Sequence, residues 1–171
     1  VVVNDGGPDV RHVLDGLDRD GRISYVRHAA NRGLAAARNS GLGVARGRFV
    51  AYLDDDDRFY PEHLETLVPF LEEQPDRVVY SDALRVVQTK DGNVYRTASR
   101  DLPYANDFDQ AQLLVRNLFP VLCVMHARSA WEAVGGFDES FLAHEDWDLW
   151  VRLSARFPFR RVPSITAEFT Q

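Results

Sequence analysis

Ala51-Tyr52-Leu53-Asp54-Asp55-Asp56-Asp57-Arg58-Phe59-Tyr60-Pro61 sets four consecutive carboxylates directly after an apolar run. Phe49 to Leu53 reads as a buried strand, and Pro61 suits the first turn of a following helix. Adjacent carboxylates repel, and one of them titrates upward unless something positive sits between them. The run therefore implies a divalent cation or else a fully solvated loop. Its position favours the cation, because ligands in open α/β sheets bind in the crevice beyond the carboxyl ends of the strands. Hard oxygen ligands there suit Mg²⁺ or Mn²⁺, with phosphate oxygens completing the coordination.

Outward from this loop, the first half alternates strands and helices, the pattern of a parallel or mostly parallel sheet. Ile23–Val26 reads as a strand, and Leu34, Ala37, Gly41 and Val44 recur on one face of a helix between Gly33 and Ala45. After the acidic loop, Leu64, Leu67, Val68 and Leu71 form another helical stripe, which Pro69 should kink or end. Val78-Val79-Tyr80 is a strand. Leu84 to Thr97 reads as a hairpin turning at Lys90-Asp91-Gly92-Asn93, and Ser99 to Asp109 as a surface loop. A short helix is expected over Gln110–Asn117 and a strand over Leu122–Met125. Ser129 should cap a helix that runs to Val134 and stops at Gly135-Gly136. A last helix near Glu145 and a strand from Arg161 to Phe169 complete the pattern.

Composition bounds the function. At 171 residues, 45% hydrophobic and 27% charged, the chain is an ordinary globular one with no linker dividing it. Its net charge of −6 disfavours nucleic acid as a partner. The single Cys123 excludes an internal disulfide and fits a reducing compartment. No apolar run approaches the roughly 20 residues of a transmembrane segment. The histidines lack the paired spacing of a zinc site, and neither a Gly-x-x-x-x-Gly-Lys-Ser/Thr phosphate loop nor a Gly-x-Ser-x-Gly elbow is present. The chain opens inside an expected strand, Val1-Val2-Val3, without a methionine. It therefore reads as a fragment lacking an upstream element.

Four segments stand out in order: Val3-Asn4-Asp5-Gly6-Gly7; Asn31-Arg32-Gly33-Leu34-Ala35-Ala36-Ala37-Arg38-Asn39-Ser40-Gly41; Leu53-Asp54-Asp55-Asp56-Asp57; and Gly135-Gly136-Phe137-Asp138-Glu139 leading to His144-Glu145-Asp146-Trp147-Asp148-Leu149-Trp150. Together they resemble the family 2 glycosyltransferases, inverting enzymes of GT-A fold, over nearly the whole chain. The resemblance implies an α/β fold, three-layered α/β/α around a mixed, mostly parallel sheet. It also implies one catalytic domain over 1–171, truncated before its first strand. Residues 1–82 would be the nucleotide-binding half and 83–171 the acceptor half.

The implied activity is transfer of a sugar from a UDP-, GDP- or dTDP-linked donor to a saccharide or other hydroxyl acceptor. Asp56 would coordinate the Mg²⁺ or Mn²⁺, Asp54 would lie nearer the ribose, and Asp55 is the variable middle residue. Asp57 reads as structural, capping the helix at Pro61. Asp5 matches a carboxylate that contacts the base, although the family's common Asp-Asp-Gly-Ser stands here as Asn4-Asp5-Gly6-Gly7. Arg38 and Asn39 match the segment that faces base and diphosphate. Asp146 matches the general base, and a place in the first turn of a helix would keep it ionised. Glu145, His144 and His126 are candidates for the acceptor side, whereas Trp147, Trp150 and Val151 read as core. The implied location is cytoplasmic, at the inner face of the membrane for a full-length protein associated with it. Two other readings stay open: an incomplete domain that binds a nucleotide or partner without turnover, and a sugar nucleotidyltransferase. The latter would need a glycine-rich, basic triphosphate loop that the chain does not show.

Overall fold

The computed structural model describes residues 1–92 and 94–171. Its elements run β1 (Val2–Asp5), α1 (Arg11–Leu17), β2 (Tyr25–His28), α2 (Leu34–Val44), β3 (Phe49–Ala51), β4 (Arg58–Phe59), α3 (His63–Glu73), β5 (Val78–Asp91) and β6 (Val94–Asp101). Then follow α4 (Gln110–Leu113), a 3₁₀ turn (Val121–Cys123), β7 (Val124–Ala127), α5 (Arg128–Val134), α6 (Glu145–Ser154) and β8 (Phe159–Thr170). β1 and β2 pair as a small parallel sheet, while the main sheet has the order β3-β7-β5-β8-β4, with β6 alongside β5.

The α/β class holds, but the sheet is less parallel than expected. Only β1–β2 and β5–β8 are parallel; β3–β7, β4–β8, β5–β6 and β5–β7 are antiparallel. The cause lies in the second half, where β5 runs on into a long hairpin and β7 enters between β3 and β5. Val78–Tyr80 and the expected hairpin are thus one continuous strand, and its partner reaches Asp101 in what reads by composition as loop. Asn93, the last residue of the expected turn, lies outside the described residues.

The core follows the alternation of side chains along each strand. Val78, Tyr80, Val124, Ala167 and Phe169 face one side, against Leu149, Trp150 and Leu153 of α6. Val79, Met125 and Val162 face the other, against Leu67 and Leu71 of α3. Helices therefore cover both faces. Trp150 is fully buried, and Trp147 and Val151 pack against the same cluster, so this aromatic stripe is core.

Several local expectations shift. α3 begins at His63 with Glu62 as its cap, neither Pro61 nor Asp57 serving there, and it continues through Pro69. Ser129 lies inside α5, whose cap position is Ala127, and Gly135 ends that helix in the left-handed conformation. Val10, Val13, Leu14 and Leu17 fall on one face along α1, yet none of its residues is buried. Among the described residues, no helix is long and apolar enough to cross a membrane.

His63 shows what burial does to a titratable group. It is 1% exposed, stacks on Phe59 at 3.8 Å, and donates from Nδ1 to Thr166 Oγ1 at 2.7 Å. Burial pushes its pKa down to about 4 from 6.5. The folded-state value lies below the unfolded one, so the unfolded chain binds the extra proton between these limits. The stability this residue contributes is complete above pH 6.5 and is lost as pH falls towards 4, a change of about 3 kcal/mol. Urea midpoints at pH 7 and pH 4 should therefore drop less in a His63→Gln variant than in the parent; equal drops would contradict the assignment.

Candidate active site

Asp5 ends β1 and holds the loop that leads into α2. Its carboxylate accepts from His28 Nδ1 at 2.6 Å, Arg32 N at 2.9 Å and Gly33 N at 2.8 Å. Burial raises its pKa, but these donors outweigh burial and leave it below the usual carboxylate range. His28 Nε2 in turn lies 2.9 Å from Ser40 Oγ on α2. The approach requires glycine at position 6: its φ is +85°, and a Cβ there would lie 2.4 Å from Asn31 N. Asn4 serves its own turn, accepting from Gly7 N at 2.7 Å and donating to Pro8 O at 2.5 Å.

At the other end of the first turn of α2 stands Arg38. Its Nη2 donates to both oxygens of Asp54, at 3.0 and 2.9 Å, and its Nη1 to Glu145. The Arg38 side chain is 9% exposed, that of Glu145 6% and that of Asp54 31%. Burial alone would lower the guanidinium pKa, but the carboxylates of Asp54, Glu145 and Asp146 together raise it. Next to it, Asn39 donates to Phe137 O at 2.9 Å and accepts from Phe137 N at 2.9 Å, tying the 137–139 loop to α2. Arg32 and Asn39 both reach Glu139 on the same loop.

α6 starts at this network, with Glu145, Asp146 and Asp148 in its first turn, where the helix dipole favours negative charge. His144, the cap residue, has φ 65°, the single non-glycine in that region among the described residues. Asp146 is half-buried; its Oδ2 accepts from Asn117 Nδ2 at 2.9 Å and its Oδ1 from Trp147 N at 2.7 Å. Burial raises its pKa and Glu145 adds to the rise, while Trp147 N, Asn117 and Arg38 oppose it; the net direction is up. Desolvation thus outweighs the helix position that should have kept the group acidic.

The model of glycosyl transferase family 2 matches residues 1–132. The chain belongs to glycosyl transferase family 2. Among curated relatives, it is 29% identical to the uncharacterized glycosyltransferase YwdF of Bacillus subtilis, over 95% of this chain and 59% of that one. It is also 29% identical to the uncharacterized glycosyltransferase RP339 of Rickettsia prowazekii, over 96% of this chain and 50% of that one. The chain thus spans between half and three-fifths of these relatives' length. Among solved structures, S. aureus TarS 1-349 in complex with UDP-GlcNAc superposes with a TM-score of 0.74 at 17% identity, covering 99% of this chain and 48% of that one. That likeness shows the GT-A fold.

Of the expected site residues, the structure joins Arg38, Asp54 and Glu145 in one bonded network, with Asp146 next along α6 and bonded to Asn117 and Trp147 N, and leaves other candidates apart. His126 does not line an acceptor surface: it is fully buried, bonded to Tyr52 Oη at 2.7 Å and to Ala127 O at 2.8 Å. Glu145 faces Arg38 and not an open acceptor side. Both amino groups of Arg38 and the side-chain amide of Asn39 are bonded within the protein, while Arg38 Nε is buried without a partner. His144 is exposed, with its ring 5.9 Å from that of Trp147. Sequence reading missed Asn117 and His28. Each lies outside the four motifs, and only its contact with a motif carboxylate reveals it.

The acidic loop of this family 2 chain divides in two. Asp54 is neutralised by Arg38, whereas Asp56 is exposed and makes no hydrogen bond or ion pair among the described residues. Asp57 is half-buried, its Oδ1 accepting from Thr170 N at 3.4 Å. Burial, then Asp56, push its pKa up to about 6. The loop therefore holds more negative charge than Arg38 compensates. Among the described residues, no three His, Cys, Asp or Glu side chains form a ligand cluster. A Mg²⁺-type ion that keeps phosphate and water ligands needs only one or two carboxylates, and the loop has two that are exposed and unpaired among the described residues, Asp55 and Asp56. A polar cleft of about 320 Å³ adjoins the loop, lined by Asp55, Asp57, Arg58, Gln88, Arg100 and Glu168 among others.

Proposed function

We propose that this family 2 chain is the catalytic core of a metal-dependent, inverting glycosyltransferase. It would move a sugar from a nucleotide-sugar donor to a hydroxyl acceptor. The observation that carries this reading is the junction at Arg38, where the acidic loop meets the first turn of α6. Inversion needs a base separate from the groups that hold the leaving group, and Asp146 lies on α6 and not on the acidic loop.

Asp146 accepts the proton of the acceptor hydroxyl as its oxygen attacks the anomeric carbon; the bond to the diphosphate breaks and the nucleoside diphosphate leaves. A raised pKa makes Asp146 a better proton acceptor than an exposed aspartate. Asn117 and Trp147 N orient its two oxygens. Asp56 would hold Mg²⁺ or Mn²⁺, which supplies stabilisation of the charge on the departing diphosphate. Asp5 and Asn39 shape the donor side by fixing the 30–33 and 137–139 loops, and Asp54, held by Arg38, would lie nearer the ribose. The complex of TarS with UDP-GlcNAc makes a UDP-sugar the first donor to try. The buried thiol of Cys123 accords with a cytoplasmic setting.

A thermal-shift screen with UDP-, GDP- and dTDP-linked sugars, each with and without Mn²⁺, tests the reading. Stabilisation by one nucleotide class, larger with Mn²⁺, is the expected result. No shift with any donor would favour a domain that does not turn over.

A further inference from the structure

We infer that Arg38 is a positioning residue for Asp146: by clamping Glu145 to Asp54 it fixes the start of α6 and shields the Asp146 carboxylate from the negative charge beside it. The inference rests on the reading of Asp146 as the base. The observations are geometric. Arg38 donates to Asp54 through both oxygens and to Glu145 from its other amino group, and it lies over the Phe137 ring at 5.6 Å. Glu145 is 5% exposed, so its charge is compensated by protein and not by water. One cation, 107 residues before Glu145 in sequence, thus joins the acidic loop to the base-bearing helix.

The groups facing Asp146 can be named from each neighbouring element. α6 itself supplies Glu145 and the Trp147 N–H, the 114–117 turn supplies Asn117, and α2 supplies Arg38, behind which stands Asp54. His144 and Asp148 flank it on its own helix. Of these, Glu145 disfavours the charged form of Asp146 and Arg38 favours it. The two influences are opposite in sign, so removing each should move Asp146 in opposite directions. A merely structural role would not do that.

The test is an NMR titration of the Asp146 ¹³Cγ resonance, assigned by its absence from Asp146→Asn. In Arg38→Gln the midpoint should rise by about one pH unit, and in Glu145→Gln it should fall by a comparable amount. The Arg38→Gln/Glu145→Gln double variant, which buries no unpaired charge from this pair, should titrate between the two. Arg38→Lys should restore only part of the shift, because an ammonium cannot bridge two carboxylates as a planar fork does. If Arg38→Gln does not fold, Glu145→Gln and the double variant carry the comparison. Midpoints unmoved, or moved in the same direction, overturn the inference. The titration reads the coupling whether or not Asp146 is the base; turnover retained by Asp146→Asn would remove that role and leave the coupling standing.

Discussion

Asp146→Asn is expected to lower kcat by about 10²–10⁴-fold, the usual worth of a positioned general base, while donor affinity stays unchanged. The substitution is nearly isosteric. Its carbonyl oxygen can still accept from Asn117 or from Trp147 N, and the Arg38–Glu145 pair does not involve it. What disappears is the capacity to take a proton. Nucleoside diphosphate release at saturating donor and acceptor, beside the calorimetric Kd of the donor, separates the two effects. Turnover at the parent level would sink the assignment. The parent should also lose activity as pH falls, because the base must be ionised. The burial that raises the Asp146 pKa places that loss above the ordinary carboxylate range, and Asn cannot reproduce such a limb.

Asp56→Ala should cost at least tenfold in donor affinity in the presence of Mn²⁺, about 1.4 kcal/mol, and little in its absence. The argument rests on the division of the acidic loop. Asp54 is bound to Arg38 and Asp57 to the backbone of Thr170, which leaves two exposed carboxylates, Asp55 and Asp56; the family's acidic motif singles out Asp56 as the proposed ligand. Asp55→Ala is the control and should behave like the parent. Removing Asp56 also removes a charge that raises the Asp57 pKa, so Asp57 should titrate lower in the variant. Calorimetry with and without Mn²⁺ decides the matter; equal affinities in parent and Asp56→Ala would exclude Asp56 as the metal-holding residue.

Much of this site was legible because its motifs are local. The glycine at position 6, the helix start after Gly33 and the acidic turn after β3 each depend on residues within a few positions of one another. Proximity along the chain is what a sequence displays. What stayed hidden were contacts of long range. His126 looked available because it follows a short strand, yet β7 enters the middle of the sheet and carries it into the core. Asn117 sat in a featureless stretch until the turn after α4 brought it to Asp146. The hairpin of β5 and β6 runs on through the polar residues 99–101, because an exposed outer strand needs no apolar face to mark it.

The amino-acid sequence by itself determined the family and the α/β class, since these follow from motifs of fixed local spacing, and the resemblance to that family nominated the two carboxylates on which the proposed reaction turns. The tertiary structure alone decided how they are held. Arg38 binds two carboxylates, one from the acidic loop and one from α6, and Asp146 is raised by burial instead of being held down by its helix. Both outcomes depend on which charges come within a few ångströms and how much water remains between them, and neither quantity is encoded in any single segment.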